Sequence, residues 1–264
     1  MKGTSTVWFL RCYMLIVLGF IFLPIITSIV FSFNSDRFPS LPLGSFTWDW
    51  YDKVYSDPDT WDAIKVSITV AFSTSILATF IGFCTAYTDY RYEFKFKNGY
   101  LALALLPPTI PLIILALAML AWFSKIGVSG QIWSIIIAHT VLSAPFAMAV
   151  IRLRLQQVDR DLESAAWNLG ASEWGAMRHV ILPVTFPAII SSLFLTMAVS
   201  FDEFAIAWFV SGLNKSIPVT ILEILQGNVD PQINAIGSLV FAITMTLVIV
   251  AQLLLITKTP KSGN

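Results

Sequence analysis

The chain has 264 residues, of which 56% are hydrophobic and only 12% charged, and its mean hydropathy is +0.76. Soluble domains carry roughly 25% charged residues, so this is the composition of an integral membrane protein, and disorder as the main state is excluded. Sixteen Lys and Arg balance sixteen Asp and Glu, which argues against a nucleic-acid binder with a basic face and against an acidic tail. Cys12 and Cys84 both lie in apolar stretches, and two cysteines so placed suggest neither a disulfide framework nor a zinc site.

A bilayer core about 30 Å thick needs roughly 20 apolar residues of helix. Six runs meet that requirement: 7–33, 64–86, 100–123, 132–151, 183–210 and 235–256. They are near-continuously apolar and lack the two-residue alternation of outer-membrane strands, so the predicted fold is all-α, a single transmembrane domain of six helices over 1–264. A cleaved signal peptide is the rival reading of the first run. That run is long for a signal h-region, and no small-x-small site precedes the polar segment at Asn34, so it is read as an uncleaved signal anchor. The third run contains Pro107, Pro108 and Pro111. Each removes an amide donor, and the segment is expected to be kinked or broken, either to line a pore or as packing geometry.

The cations sort by side. Lys2, Arg11, Arg91, Lys95, Lys97, Arg152, Arg154, Arg160, Arg178, Lys258 and Lys261 fall on one side, and Arg37, Lys53, Lys65, Lys125 and Lys215 on the other. The positive-inside rule puts both termini and the segments near 90–99 and 152–182 in the cytoplasm. The outer segment 34–62 holds six aspartates, together with Trp48, Trp50, Tyr51, Tyr55 and Trp61. Those aromatics suit an interfacial belt against membrane lipid, or else a docking surface for an external partner.

Between the fourth and fifth spans lies a long cytoplasmic connection, 152–182, with a pattern of its own. Asp159 or Asp161 can cap a helix whose apolar stripe is Leu162, Ala165, Ala166 and Leu169. Gly170 ends that helix, Ser172 caps a second one carrying Trp174, Met177 and Val180, and Pro183 closes the unit. The expected helix-turn-helix presents an apolar and aromatic face suited to a groove on another protein. A DNA-binding role is disfavoured because the second helix offers only Arg178 for phosphate.

Residues 163–172, Glu-Ser-Ala-Ala-Trp-Asn-Leu-Gly-Ala-Ser, followed by Val180-Ile181-Leu182-Pro183, resemble the cytoplasmic EAA loop of bacterial ABC importer permeases. The family pattern is E-A-A, three residues, Gly, nine residues, I-x-L-P, and Ala165, Ala166, Gly170, Val180, Leu182 and Pro183 fit it with Val for Ile. Ser164 stands at the family's Glu position and Glu163 is displaced by one, which puts that glutamate's usual contacts in doubt. The resemblance implies an inner-membrane permease subunit, with Glu163, Ser164, Ala165, Ala166, Gly170, Trp174, Met177, Leu182 and Pro183 forming the contact to an ATPase. It also implies the partners: a second permease, two cytoplasmic ATPases that hold ATP and Mg, and a periplasmic solute-binding protein. No GxxxxGK[ST] loop occurs in this chain, and Gly212-Leu213-Asn214-Lys215-Ser216 has the wrong spacing, so no cofactor is expected in the chain itself. Within the class, residues 32–38, 200–204 and 230–235 look most like the second permease of spermidine/putrescine importers. Permeases for iron, sulfate or thiamine are the alternatives, and an ATPase-independent channel or secondary transporter is a further one.

Asp202 and Glu203 are the outstanding charges within a predicted span. A charge deep in a membrane helix costs roughly 2.5–3.5 kcal/mol on insertion scales, so these two call for a partner or an aqueous cavity. For a polyamine they would counter ammonium groups, with Phe201, Phe204, Trp208 or Phe209 supplying cation–π faces. The plainer reading is a solvated helix break, or pairing with a cation of the second permease. His139 is expected to be a hydrogen-bonded packing residue and His179 part of the exposed loop; neither has metal-site spacing. No nucleophile–base motif indicates an enzyme.

Overall fold

The computed structural model describes residues 4–37, 40–159, 161–227 and 231–257. Phe38, Arg160, Asp230 and the cations Lys2, Lys258 and Lys261 lie outside the described residues. Among the described residues the chain is all-helical, the one β-feature being an isolated antiparallel bridge between Asn34 and Phe46. Five helical stretches among the described residues are long and apolar enough to cross a membrane: Thr6–Phe31, Pro58–Arg91, Ile132–Leu155, Glu173–Asp202 and Gln232–Leu254.

In chain order the helices are α1 (Thr4–Phe31), α2 (Asp49–Ser56), α3 (Pro58–Arg91), α4 (Lys97–Leu105), α5 (Leu112–Ile126), α6 (Ile132–Leu155), α7 (Asp161–Asn168), α8 (Glu173–Ala176), α9 (Leu182–Asp202), α10 (Ala205–Val210), α11 (Ile217–Gly227) and α12 (Gln232–Thr257). The predicted third span is divided into α4 and α5 by a 3-10 turn at Pro107–Thr109, with Ile110 extended and Pro111 directly preceding α5. Three prolines within five residues leave too few amide donors to carry an α-helical ladder through this point. The predicted fifth span also departs from one continuous helix: α9 stops at Asp202, Glu203 is extended, and α10 follows. At its other end Pro183 does not close the preceding loop. It lies in the first turn of α9, which a π-turn over Met177–Ile181 joins to α8. A proline that cannot donate there is accommodated by the wider turn.

The residues fall into two compact units, 1–61 with 220–242 and 62–219 with 243–264. In the first, the segment after α1 folds back on itself through an aromatic cluster. Phe33 stacks on Phe46 and Tyr51, and Trp48 meets Phe33 edge-on. The Trp50 indole N–H donates to the Asn34 carbonyl at 2.7 Å, so the predicted belt residues are partly internal fasteners.

In the second unit α3 and α6 approach closely. Ala71, Ser75, Ala78, Gly82 and Ala86 recur at three- and four-residue spacing on α3 and are all buried. A Cβ on Gly82 would lie 2.6 Å from the Met148 amide nitrogen, so only glycine permits this approach. Leu115, Phe123, Ile135, Ile136, Ile206 and Val210 build a core at one end of the unit. Tyr90, Met148, Ile151, Leu155 and Ile181 build another near the 152–182 loop.

Candidate functional site

The break between α9 and α10 separates two adjacent carboxylates. Glu203 turns inward and is only 8% exposed. Its oxygens accept the backbone N–H groups of Ile206 at 2.9 Å and Ala207 at 3.2 Å, which makes the side chain the cap of α10. His139 of α6 approaches from behind, with Nε2 at 3.3 Å from Glu203 Oε2 and Nδ1 at 2.9 Å from Ser200 Oγ. His139 is therefore the hydrogen-bonded interior residue expected of it, but its neighbour across the helices is a carboxylate that sequence spacing did not place there.

Asp202 is exposed, and its Oδ1 accepts from Thr244 Oγ1 of α12 at 2.9 Å. It borders an open cavity of about 500 Å³ lined by Pro108, Leu112, Leu142, Phe146, Val199, Asp202, Glu203, Phe204 and Ala205. The lining thus joins the proline break of the third predicted span to the break of the fifth. Phe204 and Phe146 supply the aromatic surface. Phe201 is buried, and Trp208 packs against the core beside Phe204 at a ring separation of 6.0 Å, so neither lines the cavity. A mostly apolar recess with an exposed carboxylate can hold a cation whose remaining surface is hydrocarbon.

The 152–182 connection forms the second candidate region. The Asp159 carboxylate accepts the Asp161 N–H at 3.0 Å and starts α7. Gly170 has φ +87, the left-handed region in which a side chain is strained, and Ser172 Oγ accepts the Gly175 N–H at 3.1 Å to cap α8. Leu162 is exposed, as are Leu169 at 89% and Trp174 at 69%. Ser164 and Ala165 are exposed too, Ala166 and Met177 are half-buried, and His179 is exposed with Nδ1 at 2.9 Å from the Gly175 carbonyl. Leu182 and Pro183 belong to the first turn of α9.

Glu163 behaves differently from the rest of that motif: it is 4% exposed. Tyr87 OH donates to its Oε1 at 3.2 Å, and Arg91 Nε lies 3.4 Å from its Oε2. These partners sit at the far end of α3, and no spacing within the loop signals them. A helix over 217–227 was also not foreseen from the sequence, although Ser216 followed by Pro218 is a start signal of the right kind. Its Ile217 N–H donates to Ser67 Oγ of α3 at 2.8 Å.

Apolar helices of membrane length, with breaks between α4 and α5 and between α9 and α10 that meet at a cavity bearing an exposed carboxylate, are the architecture of an integral membrane protein. The family model of the binding-protein-dependent transport system inner membrane component matches residues 78–258, and the chain belongs to that family. The spermidine/putrescine transport system permease protein PotC of Haemophilus influenzae is 33% identical over 94% of this chain and 96% of its own length. The putrescine transport system permease protein PotI of Escherichia coli is 30% identical over 86% of this chain and 84% of its own. Among solved structures, a chain of a bacterial ABC transporter involved in the import of the acidic polysaccharide alginate superposes with a TM-score of 0.71 at 17% identity, covering 97% of this chain and 98% of that one. That last likeness concerns the fold alone.

Proposed function

We propose that this chain is one of two pore-forming permeases of an ATP-driven importer that moves a polyamine, spermidine or putrescine, across the bacterial inner membrane by alternating access. The observation that carries the reading is the Asp202 carboxylate exposed in an aromatic and apolar recess, in a chain that matches polyamine permeases over nearly its full length. The carboxylate would receive an ammonium group, while Phe146 and Phe204 cover the methylene chain. Glu203 contributes indirectly, by holding the helix break open.

The reading has six spans, with α4 and α5 together crossing the bilayer as a broken third. Both termini and the 152–182 loop face the cytoplasm, which agrees with eleven of the sixteen cations on that side. There the helix-turn-helix offers Leu162, Leu169 and Trp174 to a groove on an ATPase, and ATP and Mg are handled by two such partner subunits. A periplasmic solute-binding protein delivers the polyamine to the opposite side. No covalent chemistry is asked of this chain.

The test is uptake of labelled spermidine by the reconstituted complex. ATP-dependent uptake that unlabelled putrescine suppresses, and that thiamine, sulfate and iron leave alone, is expected. Uptake of one of those other solutes in its place would sink the polyamine assignment. Uptake that needs no ATP, from a chain that copurifies with no ATPase, would sink the importer assignment.

A further inference from the structure

The last turn of α3 carries two opposite charges, Asp89 and Arg91, and each gathers different helices. Two residues along a helix are separated by about 200°, so the two side chains leave on opposite faces. Arg91 reaches the loop: its Nε is 3.4 Å from Glu163 of α7 and its Nη2 3.7 Å from Glu173 of α8. The guanidinium also lies over the Trp167 ring, with Cζ 4.5 Å from the centroid. Asp89 reaches the bundle: Arg152 Nε of α6 donates to it at 2.6 Å, and Lys97 Nζ at the start of α4 lies 3.6 Å away. One turn of helix therefore joins both loop helices to α6 and to α4, and α4 leads directly into the proline break that borders the Asp202 cavity.

We propose that Arg91 is the positioning residue that couples the loop to the membrane helices, by clamping α7 and α8 to the end of α3. The inference rests on the reading in which an ATPase seats on this loop. Displacement of the knob then moves α3 and α4 with it, since the loop cannot hinge away from α3 without exposing Glu163 and unstacking Trp167. A planar guanidinium suits this task because it makes two ion pairs and one stacked contact at fixed angles, which a lysine ammonium does not reproduce. The displaced glutamate of the motif also finds a purpose here: Glu163 faces inward, to the clamp, and the exposed residues around it are left to meet the partner.

The experiment measures solute imported per ATP hydrolysed by the complete importer in proteoliposomes with loaded binding protein. Arg91→Leu is expected to leave the ATPase bound and hydrolysing while that ratio falls roughly tenfold, and Arg91→Lys to fall between. Adding Glu163→Arg to Arg91→Glu restores part of the ratio that Arg91→Glu alone loses. An unchanged ratio in Arg91→Leu, or transport and hydrolysis falling in step, overturns the clamp. If Arg91→Leu does not assemble, Trp167→Leu removes only the stacked face and must still lower the ratio; no change there also overturns it. Wild-type uptake without ATP or without a copurifying ATPase overturns the parent reading and the clamp together.

Discussion

Glu163 and Glu203 are both buried carboxylates, 4% and 8% exposed, and they are satisfied by different kinds of partner. Glu203 is answered mainly by its own chain a few residues ahead, through the amides of Ile206 and Ala207, with His139 behind it. Glu163 is answered by the far end of another helix, through Tyr87 and Arg91. A charge met by amides at a helix start stays with its own segment and defines a local shape. One met by side chains of a distant helix ties two segments together, so it can pass a displacement between them. On the proposed reading, Glu203 shapes a site and Glu163 makes a connection.

The largest effect that would separate the two is expected from Glu203→Ala. It removes the cap of α10 and leaves buried donors without an acceptor, at a cost of about 2–4 kcal/mol. Thermal denaturation of the detergent-solubilised complex should show a clear fall in midpoint, smaller in Glu203→Gln, which still accepts hydrogen bonds. An unchanged midpoint in the alanine variant would mean that the carboxylate does not organise the break.

Glu163→Ala is expected to cost less, about 1–2 kcal/mol, because Arg91 remains partly solvated and keeps Glu173 and the Trp167 ring. Limited proteolysis of the 152–182 loop reports it: cleavage should quicken there and not at the α9–α10 break.

Asp202→Asn distinguishes the exposed carboxylate from its buried neighbour. Stability should change by no more than about 0.5 kcal/mol, the usual range for a surface substitution. The apparent affinity for polyamine should drop roughly tenfold, equivalent to about 1.4 kcal/mol. Equal uptake kinetics in wild type and variant would remove Asp202 from the pathway.

The smallest change is Gly170→Ala. It forces a side chain into the left-handed region at φ +87, a strain of about 1 kcal/mol, while a Cβ there meets no neighbouring atom. The effect should therefore be confined to loop order, read by hydrogen exchange over 161–176, with stability of the membrane helices unaltered.

Local chemistry made much of this legible in advance. The three prolines foretold the interruption between α4 and α5, and Gly170 and Ser172 sit at the turn between α7 and α8, because each acts through its own backbone. A break at Asp202 and Glu203 was the plainer of the readings their charge allowed, although no proline or glycine marks it; there Glu203 caps α10. The aromatic roles were sorted only by packing. Phe201 and Trp208 looked as suitable for a cation as Phe204 does, but of the three only Phe204 reaches the cavity.

The amino-acid sequence by itself determined that this is an all-helical membrane chain, since apolar run length, proline and capping residues act locally. The balanced charges looked featureless in the total, and their order along the chain implied an orientation. Which polar side chains face one another was decided only by the tertiary structure: Asp89 with Arg152, Arg91 with Glu163, His139 with Glu203. The members of each pair lie far apart along the chain, and no periodicity along one helix records which face of another will arrive beside it.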